Sequence, residues 1–77
     1  MKYIVFSDNS VIVFPDSQSH KDMAMGRLVR SAGFCRVETF RTDYDDIRAK
    51  VSCWGYSDSL GVSSLSSDEE IIKSLWV

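Results

Sequence analysis

Lys2 to Phe6 and Val11 to Phe14 are runs of β-branched and aromatic residues. Ser7-Asp8-Asn9-Ser10 lies between them with the chemistry of a tight turn, and Pro15 ends the second run. This predicts a β-hairpin. With Asp8 and Asn9 as a two-residue turn, Phe6 faces Val11, Val5 faces Ile12, Ile4 faces Val13 and Tyr3 faces Phe14. Both faces of such a hairpin are apolar. Its strands are then either central and wrapped on both sides, or leave one face for a partner, including a second copy in a homodimer.

A helical period follows. Ser19-His20-Lys21-Asp22 reads as a capped start, with Ser19 as N-cap and Asp22 in the first turn. Met25, Leu28, Val29 and Ala32 then recur on one helical face, and Gly33 suits the C′ position with Phe34 beside it. Gly26 weakens such a helix by roughly 1 kcal/mol relative to Ala.

From Phe34 to Thr42 and from Ile47 to Tyr56 the period becomes two, which predicts a second hairpin around Asp43-Tyr44-Asp45-Asp46. One face carries Cys35, Val37, Thr39, Ile47, Ala49, Val51 and Cys53. The other carries Arg36, Glu38, Phe40, Arg48, Lys50, Ser52 and Trp54. A loop of odd length keeps these faces separate and pairs Phe40 with Lys50, whereas an even loop mixes them. Ser57 to Ser67, serine-rich with Gly61, reads as a loop. Ser66 or Ser67 caps a last helix whose apolar side is Ile71, Ile72, Leu75 and Trp76. The expectation is a single α+β domain over residues 1–77, two hairpins forming a small antiparallel sheet packed by two helices on one face, in the order β-β-α-β-β-α.

Composition narrows the class of function. The 77 residues are 44% hydrophobic and 26% charged, ordinary for a folded chain and leaving a small core with little to spare for a deep pocket. The net charge of −2 hides an uneven spread. Arg27, Arg30, Arg36, Arg41, Arg48 and Lys50 give a mildly basic centre between acidic ends, which argues against a general nucleic-acid binder while permitting a local basic patch. The N-terminal run is too short and too soon interrupted for a secretory signal, and no stretch is long enough to span a membrane. A cytoplasmic location with reduced cysteines is expected.

Candidate chemistry is sparse. His20 stands near Ser17, Ser19 and Asp22 along one helix start, where a triad cannot converge, and reads as a capping or surface residue. Cys35 and Cys53 read as inner-face thiols without the electropositive setting of a nucleophile or the ligands of a zinc site. Asp43, Asp45 and Asp46 lack the glycine and distal glutamate of a calcium loop. Neither a metal, a cofactor nor an enzymatic activity is expected.

The second hairpin's outer face is more informative. Phe40 and Trp54, with Tyr56, stand beside Arg36, Arg48 and Lys50. Rings and cations so mixed suit a protein interface, single-stranded nucleic acid, or packing under the last helix.

The segments Lys2-Tyr3-Ile4-Val5-Phe6, Asp8-Asn9-Ser10, Val11-Ile12-Val13-Phe14-Pro15, His20 to Met25 and Ser31-Ala32-Gly33-Phe34 resemble small proteins of phages and prophages. Many of these are anti-defence inhibitors of the anti-CRISPR type. That resemblance implies a compact inhibitor that binds a host protein complex by occlusion or charge mimicry. On that expectation the contact residues are Phe40, Asp43, Tyr44, Asp45, Asp46, Arg48 and Trp54, with Asp68, Glu69 and Glu70 as a further acidic cluster. The alternative is a nucleic-acid-binding module using Arg36, Arg48, Lys50 and Trp54.

Overall fold

The computed structural model describes residues 1–76, and the side chain of Trp76, expected on the apolar side of the last helix, lies outside what is described. The chain is α+β. Strands β1 (Lys2–Phe6), β2 (Val11–Phe14), β3 (Val29–Arg41) and β4 (Ile47–Trp54) form an antiparallel sheet in the order β2-β1-β3-β4. A short helix α1 (His20–Ala24) joins β2 to β3. After β4 come a small two-stranded ribbon of β5 (Tyr56–Ser57) and β6 (Val62–Ser63), the helix α2 (Asp68–Lys73) and a 3₁₀ turn at Ser74–Trp76.

The expected β-β-α-β-β-α order therefore gains a ribbon inside the serine-rich loop and loses most of its first helix. Ser19 caps α1 as expected, its Oγ accepting from Asp22 N at 3.1 Å. The helix stops after five residues because Met25 and Gly26 both turn left-handed, at φ 48° and 76°. Met25 and Leu28 are consequently exposed, while Val29 and Ala32 enter β3 instead of a helical face. Gly33, expected as a helix C′ residue, lies in mid-strand opposite Tyr3. A Cβ there would stand 2.5 Å from the Trp54 carbonyl oxygen, so the close approach of the chain at Trp54 and Gly55 requires glycine.

The first hairpin is real, but its register differs by one. Tyr3 pairs with Val13 and Ile4 with Ile12, because the turn has three residues and not two. Phe6 donates to the Ser10 carbonyl and accepts from Asn9, whose φ of 67° makes the bulge that such a loop needs. Asp8 Oδ1 fixes it by accepting from both Ser10 N and Ser10 Oγ. The second hairpin repeats the device: Thr42 N donates to Asp46 O and Asp45 sits at φ 61°. The odd loop holds the two faces apart as expected, although Phe40 pairs with Arg48 and not Lys50.

Strand parity then sorts the core into two. Tyr3, Val5, Cys35 and Val51 share one side with Ile72 of α2. Ile4, Phe6, Phe14 and Ala32 share the other with Ala24 of α1, and Leu60 and Val62 of the ribbon region close over them. The helices thus lie on opposite faces of the sheet, not on one. Central β1 is wrapped on both sides, and four of its five residues are buried. On the apolar hairpin faces expected for a homodimer, β1 is buried within the chain while Val11, Ile12 and Val13 of β2 stay half-buried. Each fully buried aliphatic side chain of this kind contributes roughly 1.5–3 kcal/mol.

Candidate binding site

Beyond Cys35 the sheet narrows to two strands. β1 is in register with β3 only as far as Phe34, while β3 and β4 stay paired out to Arg41 and Ile47. The result is an arm, with Glu38 to Arg48 exposed apart from half-buried Thr42. Its turn chemistry and strand alternation are local, so the arm forms without any core beneath its tip.

The sequence-predicted site residues fall on this arm and its root. Register places Phe34 opposite Trp54, Arg36 opposite Ser52, Glu38 opposite Lys50 and Phe40 opposite Arg48, all on one face. Phe40 and Trp54 are about half exposed, at 51% and 48%, and Phe40 lines a shallow groove with Glu69, Glu70 and Lys73 of α2. Tyr44 at the tip is 89% exposed, flanked by Asp43, Asp45 and Asp46. Ile47 adds a 65% exposed side chain from the opposite face, an exposure that the inner-face pattern concealed. Arg36 Nε meets Glu38 Oε1 at 2.9 Å along the same strand. Among the described residues neither Arg48 nor Lys50 is ion-paired.

At the root of the arm an open cleft of about 460 Å³ lies among Lys2, His20, Phe34, Trp54, Tyr56 and Asp58. Sequence reasoning missed this cleft. It exists because the short ribbon turns back beside the Phe34–Trp54 pair, a long-range event with no local signal.

The reactive side chains are committed to structural contacts. His20, expected at the surface, is 5% exposed, with Nε2 bonded to Gly33 O at 2.9 Å and its ring edge-on to Phe14 and Phe34. Cys35 and Cys53 pair directly across β3 and β4 as free thiols. Burial pushes both thiols up, and Cys53 reaches about 12 with help from the nearby Cys35, Glu69 and Asp68. Such thiols hold little thiolate near neutrality. No group of three His, Cys, Asp or Glu side chains converges as metal donors among the described residues.

The second acidic cluster is corrected by its surroundings. Asp68 is fully buried, its carboxylate accepting from Tyr3 Oη at 2.5 Å, Ser31 Oγ at 2.8 Å and Leu65 N at 2.9 Å. Glu69 accepts from Cys53 N at 3.2 Å. Of the three acids only Glu70 is left exposed. Ser67, expected as a side-chain cap, instead takes a hydrogen bond from Arg30 at 2.8 Å.

No family model, curated protein or solved structure matches the chain.

Proposed function

We propose that this chain is a non-enzymatic protein-binding domain, an inhibitor of a host defence complex of the kind carried by phages and mobile elements, working in the host cytoplasm without a cofactor. The observation that carries this is the arm. It holds Tyr44 and Ile47 largely in water and Phe40 about half exposed, and surrounds the tip with Asp43, Asp45 and Asp46. Aromatic anchors ringed by acids suit a basic cleft on a partner protein, with charge steering the encounter and the rings supplying contact area. Phe40, Tyr44, Arg48 and Trp54 are the proposed anchors. Co-purification of the tagged chain from host extract tests this: one dominant protein is expected with the wild-type chain and not with Phe40→Ala combined with Tyr44→Ala. Equal capture by both chains contradicts the proposal.

The root cleft favours a second reading, single-stranded nucleic acid. Phe34, Trp54 and Tyr56 offer rings for base stacking, and Lys2, Arg36, Lys50 and Arg48 continue along the same face. The pairing of Arg36 with Glu38 and the net charge of −2 weigh against it. Under this reading a labelled oligonucleotide binds with steep salt dependence and is lost with Trp54→Ala or Arg48→Ala. Absence of such binding leaves the protein-binding proposal alone.

A further inference from the structure

The outer edge of β3 along the arm has a backbone without a partner. Met1 O accepts from Cys35 N, and beyond that point no strand pairing or backbone hydrogen bond among the described residues reaches β3 from the side away from β4. Thr42 N points across to Asp46, so by alternation the N–H and C=O groups of Val37, Thr39 and Arg41 point outward. The outer edges of β2 and β4 are in part shortened or covered. β2 has four residues and runs into Pro15. On β4, Glu69 takes the Cys53 N–H, and Glu70 and Lys73 stand beside Ala49 to Val51. The bare β3 edge contains no Pro and carries no bulge, two of the devices by which natural edges avoid pairing, and its charges alternate in sign along Arg36, Glu38 and Arg41.

We infer that this edge pairs with the same edge of a second copy, antiparallel about a two-fold axis at Thr39. Three features of the edge select a copy of this chain. First, the unpaired stretch from Arg36 to Thr42 is centred on Thr39, whose backbone groups point outward, so self-pairing matches its whole length. Second, that register opposes Thr39 to Thr39, Val37 to Arg41, Glu38 to Phe40 and Arg36 to Thr42, with no like charges face to face. Moving the axis to Glu38 would oppose two glutamates, and moving it to Phe40 would leave part of the edge unmatched. Third, antiparallel pairing carries the acidic tip of each arm, Asp43 to Asp46, to the end of the other edge that bears Arg36. About six backbone hydrogen bonds join the copies. The face bearing Phe40, Arg48, Lys50 and Trp54 stays open and is doubled, so the pairing stands whether that face takes a protein or a nucleic acid.

Sedimentation velocity over a range of concentrations tests the inference. The wild-type chain should reach twice its monomer mass. Thr39→Pro removes an outward N–H without breaking a bond to β4, and Thr39→Lys sets two charges together at the axis. Each should raise the dissociation constant at least about tenfold with an unchanged circular dichroism spectrum. If the proline variant unfolds, the lysine variant decides. Thr39→Cys, in a chain with Cys35→Ala and Cys53→Ala, should cross-link two copies on mild oxidation, and Ile47→Cys in the same chain should not. A wild-type chain that stays monomeric at every concentration overturns the inference, as does a dimer that Thr39→Lys leaves intact.

Discussion

At Asp68 a carboxylate is held out of water with its oxygens on three donors from separate parts of the chain, Tyr3, Ser31 and Leu65. An ionisable group so placed is costly unless fully bonded, and removing it strands two buried hydroxyls. Asp68→Ala is therefore expected to lower unfolding free energy by about 3 kcal/mol in urea titration, whereas Glu70→Ala changes it by less than about 0.5 kcal/mol. An acid at a helix start is legible in sequence as a cap. Its burial is not, because that depends on Tyr3 and Ser31, which are distant along the chain. Cys53 and Tyr3 set a second expectation. Burial raises both groups first, then Cys35, Glu69 and Asp68 for Cys53 and the Asp68 carboxyl for Tyr3, taking Cys53 from 9.0 to about 12 and Tyr3 upward from 10.0. Their protonated forms are favoured in the fold, so the native chain holds these protons more tightly than the unfolded chain. Stability is then fully present below about pH 9 and declines as pH rises toward about 12, with Tyr3 adding to the loss above about pH 10. Urea midpoints should fall between about pH 8 and about pH 11, and Cys53→Ala should flatten the earlier part of that fall.

At the scale of elements, Met25 and Gly26 decide where α1 ends. Both are left-handed, a conformation that costs a residue with a Cβ about 1 kcal/mol or more. Met25→Gly should stabilise the fold by about 1 kcal/mol and Gly26→Ala should destabilise it by a similar amount, measured by thermal unfolding. The same pair cuts short the helix that the sequence spacing predicts. Met25, Leu28, Val29 and Ala32 satisfy a helical spacing, yet Val29 to Gly33 are claimed by β1, whose backbone needs a second neighbour once β2 has taken the first. Short apolar runs are ambiguous by period alone, and tertiary pairing decides them. From Phe34 to Trp54 the alternation is long, so both the face assignment and the odd loop were readable. The exact pairing of Phe40 with Arg48 was not, since it follows from Asp45 adopting a positive φ. The arm's residues were legible as a face, whereas the cleft beside Trp54 required the ribbon to fold back.

The whole molecule is elongated, with extents of 43 × 25 × 19 Å. Its radius of gyration of 13.0 Å exceeds the roughly 11.5 Å of a compact chain this long. A body with two small cores thus carries an arm that contributes little to either. Tyr44→Ala should alter unfolding free energy by less than about 0.5 kcal/mol and Phe40→Ala, half-buried, should lower it by about 1 kcal/mol, leaving the fold intact for tests of binding. Large apolar groups are also exposed on the body, at Met25 and Leu28, so the proposed recognition by the arm is a choice between two exposed surfaces. Site-specific photo-crosslinking reads that choice directly. A photoreactive residue at position 40 or 44 is expected to trap one partner protein in host extract, while the same residue at position 25 or 28 traps none. Trapping from 25 or 28, with none from 40 or 44, would contradict the assignment of recognition to the arm.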